Sequence, residues 1–193
     1  MNAYRGLTSV PALVERAMNL ASHMGYQGSC SLETGRLLQL LASQYQSGVI
    51  AEIRTGCGVS ASWMVSKLSP STTFFTIEES PAMAAAARAL FDPLLNVRVI
   101  QGDWQDILRN WRFRLLYAGP DSARLDAAEA MVRALRPGGL IVVDGLAPRE
   151  RLPKEARKEP EPLREFWLND PRLIASELQV SPVEAVILAT VPE

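Results

Sequence analysis

Val49-Ile50-Ala51-Glu52-Ile53-Arg54-Thr55-Gly56-Cys57-Gly58-Val59-Ser60 is the stretch from which the fold can be read. An apolar run ends in an acid, passes through a Gly-x-Gly turn and opens onto a helical pattern from Ser60 to Leu68. A buried strand that feeds a helix through glycines suits a nucleotide-type ligand. The glycines admit close approach of the backbone, and the helix N-terminus offers unpaired N–H groups.

Around that turn the pattern alternates strand and helix. Strands are expected at 49–53, at Thr72–Ile77 ending in Glu78-Glu79, at Val97–Ile100 ending in Gln101-Gly102-Asp103, at Phe113–Ala118 and at Leu140–Asp144. Ser80-Pro81 reads as an N-cap with proline in the first turn, Asp103 as the cap of a short helix, and Arg136-Pro137-Gly138-Gly139 as the stop of a helix running from Ser122 to Leu135. Before the first strand, residues 1–47 read as two helices. Thr8 or Ser9 caps the first, and the second runs from near Ser31 to Gly48. After Asp144 comes a charged, proline-bearing stretch, 147–165, expected as a loop or lid. Phe166-Trp167-Leu168 marks a last helix, and strands near 173–180 and 184–190, joined through Ser181-Pro182, form an antiparallel pair at the sheet edge. The expected architecture is α/β: one doubly wound, mostly parallel sheet in a single domain over 1–193, with helices on both faces.

Composition narrows the function classes. The 193 residues are 48% apolar with a formal net charge of −1, which disfavours nucleic-acid binding as the main activity. Two cysteines, Cys30 and Cys57, and one histidine, His23, make neither a disulfide framework nor a zinc site. The expectation is a cytoplasmic protein with no membrane segment. His23 reads as a helix C-terminal residue, Cys57 as a small packing residue, and Trp63, Trp111 and Trp167 as core or lid packing.

Ligands of doubly wound sheets sit outside the C-terminal strand ends. Three neighbouring ends carry polar residues that suit one nucleoside: the 52–60 turn, Glu78 and Asp103. Glu78 lies 20 residues beyond Gly58 (78 − 58), where an acid meets both ribose hydroxyls. Asp103 is placed to accept a bond from an adenine amino group. Each acid alone is explained as a cap or loop residue; three at consecutive tips are not. NAD is the first competitor, with Ala61 at the third glycine of its fingerprint, but Glu52 ahead of the turn repels a pyrophosphate and favours a cationic group such as an amino-acid ammonium.

Glu52-x-x-x-Gly56-x-Gly58-x-Ser60, Glu78, Gly102-Asp103 and Arg136-Pro137-Gly138-Gly139-Leu140-Ile141-Val142-Val143-Asp144 resemble the class I S-adenosylmethionine-dependent methyltransferases. Within them the chain is similar to the bacterial O-methyltransferases related to catechol and caffeoyl-CoA methyltransferases, from about Ser31 to the last strand. The resemblance implies a seven-stranded Rossmann-like sheet with an antiparallel last strand and S-adenosyl-L-methionine across the tips of strands one to four. It implies that Glu52 and the Gly56–Gly58 backbone hold the methionine part with Ser60 nearby, that Glu78 takes the ribose hydroxyls, and that Gly102, Asp103 and Trp104 border the adenine. A homodimer is expected from relatives and edge strands.

Two departures stand out. Arg54 occupies the family's first glycine position; its side chain either turns outward or pairs with the ligand carboxylate, or else fills the pocket. In metal-dependent members an aspartate after strand four and an Asp-Asn pair after strand five hold magnesium. This chain has Gly119 and Asp144-Gly145 there, leaving one carboxylate of three ligands. Asp121 is a candidate substitute for the missing aspartate but is better explained as a helix cap, so no catalytic metal is expected. Methyl transfer needs positioning more than acid–base groups, and Asp144 is the candidate catalytic residue, as proton acceptor. The leading reading is O-methylation of a small molecule. The alternative is a non-catalytic regulatory or partner protein of the same fold, and NAD-dependent reduction comes third.

Overall fold

The structure, a computed structural model, describes residues 10–120 and 122–193. The expected cap at Thr8 or Ser9, and Asp121, lie outside the described residues.

The amphipathic pattern before the glycine turn folds as α1 (Ala12–His23) and α2 (Leu32–Ser43). The Ser31 hydroxyl caps α2 by accepting from the Thr34 N–H at 3.2 Å. Helix α2 stops short of the expected Gly48. Gly48, at φ +100°, is instead the first residue of β1 (Gly48–Ile53), where its left-handed conformation turns the chain into the sheet. Next come α3 (Val59–Val65), β2 (Thr72–Glu78), α4 (Pro81–Phe91), β3 (Val97–Gln101), α5 (Trp104–Asn110) and β4 (Phe113–Ala118). Ser80 caps α4 with Pro81 in its first turn, and the Asp103 carboxylate caps α5 by accepting from the Gln105 N–H at 2.8 Å.

The chain departs from expectation between β4 and β5. Helix α6 (Leu125–Arg133) is shorter at both ends, and β5 (Leu135–Leu146) begins before the Pro-Gly-Gly segment. The Phe113 N–H donates to Ala134 O at 2.8 Å and Leu135 pairs with Phe113, so tertiary pairing takes these residues from the helix. The pairing then shifts register before Leu115 meets Leu140. The 147–165 segment carries two short 3₁₀ turns and the start of α7 (Pro162–Asn169). The chain then forms β6 (Ile174–Gln179) and β7 (Ala185–Thr190).

The seven strands lie in the order β3-β2-β1-β4-β5-β7-β6. Strands β1 to β5 are mutually parallel, and β7 runs antiparallel to both β5 and β6. The last two strands pair as expected, but β7 is interior and β6 alone forms that edge. Alternate residues feed opposite layers. Ala51 and Ile53 pack with Leu116, Met131 and Trp167, while Ile50 packs with Leu38, Met64, Phe74 and Leu115. Arg164, buried on α7, donates to Ala147 O at 2.8 Å and to Glu161 at 2.6 Å and ion-pairs Glu177 at 2.8 Å, tying the root of the post-β5 segment to the edge strand. Among the described residues no helix is long and apolar enough to cross a membrane.

Candidate functional site

The strand order reverses between β1 and β4, which makes their C-terminal tips the switch point. At the end of β1 the Glu52 carboxyl is 1% exposed. Its two oxygens meet the hydroxyls of Ser60, the second residue of α3, and of Thr76 on β2, the latter at 3.1 Å. Thr76 is bonded in turn to Thr55 at 2.6 Å. Burial pushes the Glu52 carboxyl up to about 8, only partly opposed by the two hydroxyls and aided by the neighbouring Glu78 charge. The group is therefore protonated at neutral pH in this state, and pairing with an ammonium requires it to lose that proton.

Glu78 ends β2 with its carboxylate laid across the turn. One oxygen accepts from the Gly56 N–H and the other from the Ser80 N–H, both at 2.8 Å. Each oxygen keeps lone-pair capacity for a further donor. The Gly102 N–H donates to Glu78 O at 3.1 Å, which fixes the end of β3 beside it. Gly58 sits at φ +76° as the N-cap of α3. Gly56 admits a close neighbour, but from the protein itself: a Cβ there would lie 2.5 Å from the Tyr26 ring. The loop after α1 therefore covers the turn with an aromatic side chain.

A pocket of about 280 Å³ opens over these tips, lined by Arg54, Glu79, Asp103, Trp104, Ser122 and Arg124 among others. Three of the residues singled out in the sequence, Arg54, Asp103 and Trp104, thus meet in one cavity. Glu52, Ser60 and Glu78 are buried around the turn instead. Arg54, at φ +66°, is the one non-glycine residue with a left-handed backbone among the described residues.

At the tips of β4 and β5 the arrangement is different. The Asp144 carboxylate is 6% exposed and, like that of Glu78, accepts one hydrogen bond on each oxygen. The Tyr117 hydroxyl donates to Oδ2 and the Gly145 N–H to Oδ1, each at 2.7 Å. Burial raises the Asp144 carboxyl above its ordinary range against the lowering effect of these two bonds, and Glu184 raises it further. Burial likewise raises the Tyr117 phenol well above its ordinary value, with Cys30 and Asp144 contributing. Gly145 faces occupied space, whereas Gly119 has its neighbour at ordinary contact distance. A Cβ at position 119 would lie 3.5 Å from the Tyr117 hydroxyl, and one at position 145 would lie 2.7 Å from the Pro120 Cα. Among the described residues no three His, Cys, Asp or Glu side chains gather as a metal centre requires.

Sequence reasoning missed Thr76, Tyr26, Ser122, Arg124 and Tyr117. A phenol at the end of the otherwise apolar Leu115-Leu116-Tyr117-Ala118 run was a usable signal for the last, because a buried tyrosine hydroxyl seeks a partner. The other residues lie where predicted: Cys57 is buried, Trp63 and Trp167 are core, and the His23 ring bonds Asn19 O at 2.8 Å near the end of α1. Trp111 is partly exposed, tilted against Phe75 at 4.7 Å.

No profile of a known protein family matches the chain. Individual proteins do. A protein of Mycolicibacterium vanbaalenii assigned as an O-methyltransferase is 31% identical over 188 residues, covering 90% of this chain and 77% of that protein. One from Mycobacterium avium with the same assignment is 32% identical over 185 residues, covering 90% and 81%. Among solved structures, the O-methyltransferase from Bacillus cereus in complex with S-adenosylhomocysteine superposes with a TM-score of 0.78 at 23% identity, over 97% of this chain and 94% of that one. TomG from Streptomyces achromogenes, an O-methyltransferase of tomaymycin synthesis solved with S-adenosylmethionine, gives 0.76 at 22%, over 98% and 94%. At such identities the superpositions establish the fold.

Proposed function

The chain belongs to the O-methyltransferase family, and from that membership we propose that it moves a methyl group from S-adenosyl-L-methionine to an oxygen of a small molecule. The observation that carries the reading is Glu78. Its carboxylate, buried under the glycine turn, is held by two backbone N–H groups with lone pairs to spare, and the next residue, Glu79, lines a cavity together with Asp103 and Trp104. That suits a ribose with its adenine beyond, and the donors crystallised with the structural neighbours have this chemistry.

The fit is good at the adenosine end. At the methionine end the Tyr26 ring borders Gly56, and Glu52 takes the ammonium once it has lost its proton. The donor supplies an electrophilic methyl carbon on a sulfonium. Glu78 and Asp103 orient the nucleoside, and Tyr26 screens the turn from water. Asp144 receives the proton of the acceptor hydroxyl. We place the protein in the cytoplasm, where its two free cysteines remain thiols, and as a homodimer paired at β6, whose Ile174 and Leu178 are exposed.

Calorimetric titration with S-adenosylhomocysteine, repeated with NAD and followed by a phenol panel with the methyl donor, tests the reading. Micromolar binding of the first, none of the second and transfer to a phenol are expected. Tight NAD binding with no response to S-adenosylhomocysteine overturns it.

A further inference from the structure

The ends of β4 and β5 carry a local design that methyl transfer as such does not require. Asp144 is the one carboxylate at the ends of those two strands among the described residues, and a protein donor already meets each of its oxygens. The Tyr117 hydroxyl occupies Oδ2 and the Gly145 N–H occupies Oδ1, both at 2.7 Å. The two positions at which metal-dependent members carry further oxygen ligands are glycines here, and the one at 145 is pressed against its neighbour. A side chain at 145 would start 2.7 Å from the Pro120 Cα, on a backbone at φ +85° that L residues rarely adopt. A side chain at 119 would start 3.5 Å from the Tyr117 hydroxyl, so that the phenol borders the space a carboxylate would take. Magnesium prefers several oxygen ligands in an octahedron and gives up its waters reluctantly. A single carboxylate with glycines at the two other ligand positions does not meet that need, and the cation implied by metal-dependent members of the fold does not fit these residues.

We infer that the Tyr117 phenol, not a divalent cation, holds Asp144 in place, and that the acceptor presents one hydroxyl rather than a chelated vicinal diol. This rests on the methyl-transfer reading above. Tyr117 is a positioning residue: its O–H fixes one carboxylate oxygen, and the backbone N–H fixes the other. A diol is singled out when a cation takes both of its oxygens. Here the second oxygen of a diol finds no such partner, so a lone hydroxyl is bound as well. As its oxygen forms the new bond to the methyl carbon, the carbon–sulfur bond breaks with its electron pair going to sulfur, and the hydroxyl proton passes to Asp144.

The test combines manganese binding with steady-state kinetics. Free manganese is followed by electron paramagnetic resonance as protein saturated with S-adenosylhomocysteine is added. No uptake is expected at about 1 mM ion, a concentration that fills ordinary magnesium sites. With any phenol that accepts methyl, turnover is expected to be the same with and without EDTA, and a monophenol to react within about tenfold of its catechol. Tyr117→Phe is expected to lower kcat by about tenfold or more while the donor KM stays within about twofold. Stoichiometric manganese uptake that Asp144→Asn removes overturns the inference. So does loss of activity in EDTA that magnesium restores, or an unchanged kcat in Tyr117→Phe. Should that variant not fold, the manganese titration of the unaltered protein decides alone. Failure of S-adenosylhomocysteine to bind sinks the methyl-transfer reading instead, and the manganese result still stands.

Discussion

The two halves of the strand-tip surface hold similarly buried carboxylates in different surroundings. On the β1–β3 side, Glu78 is oriented by backbone N–H groups yet keeps lone pairs free, and Asp103 lines an open cavity even as it caps α5. On the β4–β5 side, Asp144 is held by a phenol as well as a backbone N–H, and the positions near it are glycines, that at 145 backed by Pro120. On the proposed reading, the first half receives the donor and the second sets the acceptor chemistry. The departures from family pattern at 119 and 145 lie at the β4–β5 tips, and the one at Arg54 lies beside the glycine turn.

The largest expected effect comes from Glu52, where the halves meet. Its carboxyl titrates near 4.5 when unfolded and at about 8 when folded, so the folded state holds the proton more tightly. That contribution is complete below the unfolded value and is lost as pH rises through the folded one. Chemical denaturation followed from about pH 5 to about pH 9 should show a fall on the order of 4 kcal/mol, which Glu52→Gln flattens. A flat profile in the unaltered protein would remove the buried, protonated carboxyl. S-adenosylhomocysteine should in turn bind more tightly as pH rises towards 8, since the ammonium favours the ionised acid.

Next in size is Gly145→Asn, which tests the rebuilt half. The new Cβ meets the Pro120 backbone on an unfavourable φ, so a loss of about 3 kcal/mol or more is expected in urea unfolding. A loss below about 1 kcal/mol would show that the loop yields and that position 145 is open to a ligating side chain. The smallest effect is at Arg54. Arg54→Gly relieves a left-handed backbone and should gain about 0.5 kcal/mol, read as a slightly raised unfolding midpoint.

What the sequence revealed divides along the same line. The 49–60 stretch could be read because an apolar run, an acid and two glycines are all local signals, and the acids at 78 and 103 follow from strand ends with clear apolar patterns. The Tyr117–Asp144 bond could not, because it depends on β4 and β5 lying side by side across 27 residues of sequence. The same pairing draws Leu135 and the Pro-Gly-Gly segment into β5, against the local signal for a helix stop. Gly48 misled for a related reason: a left-handed glycine both ends helices and starts strands, and only the sheet decides which. Tyr26 over Gly56 is a contact between a loop and a turn 30 residues apart (56 − 26), where periodicity carries no information.

The most direct measurement is a calorimetric titration of S-adenosylhomocysteine into the unaltered protein and into Glu78→Gln, both in EDTA. Binding in the micromolar range is expected for the first, weakened by about thirtyfold in the second, where one N–H partner and a charge-assisted bond to the ribose are lost. No heat from the unaltered protein at millimolar ligand, or equal affinity in both, would contradict a donor site organised by Glu78.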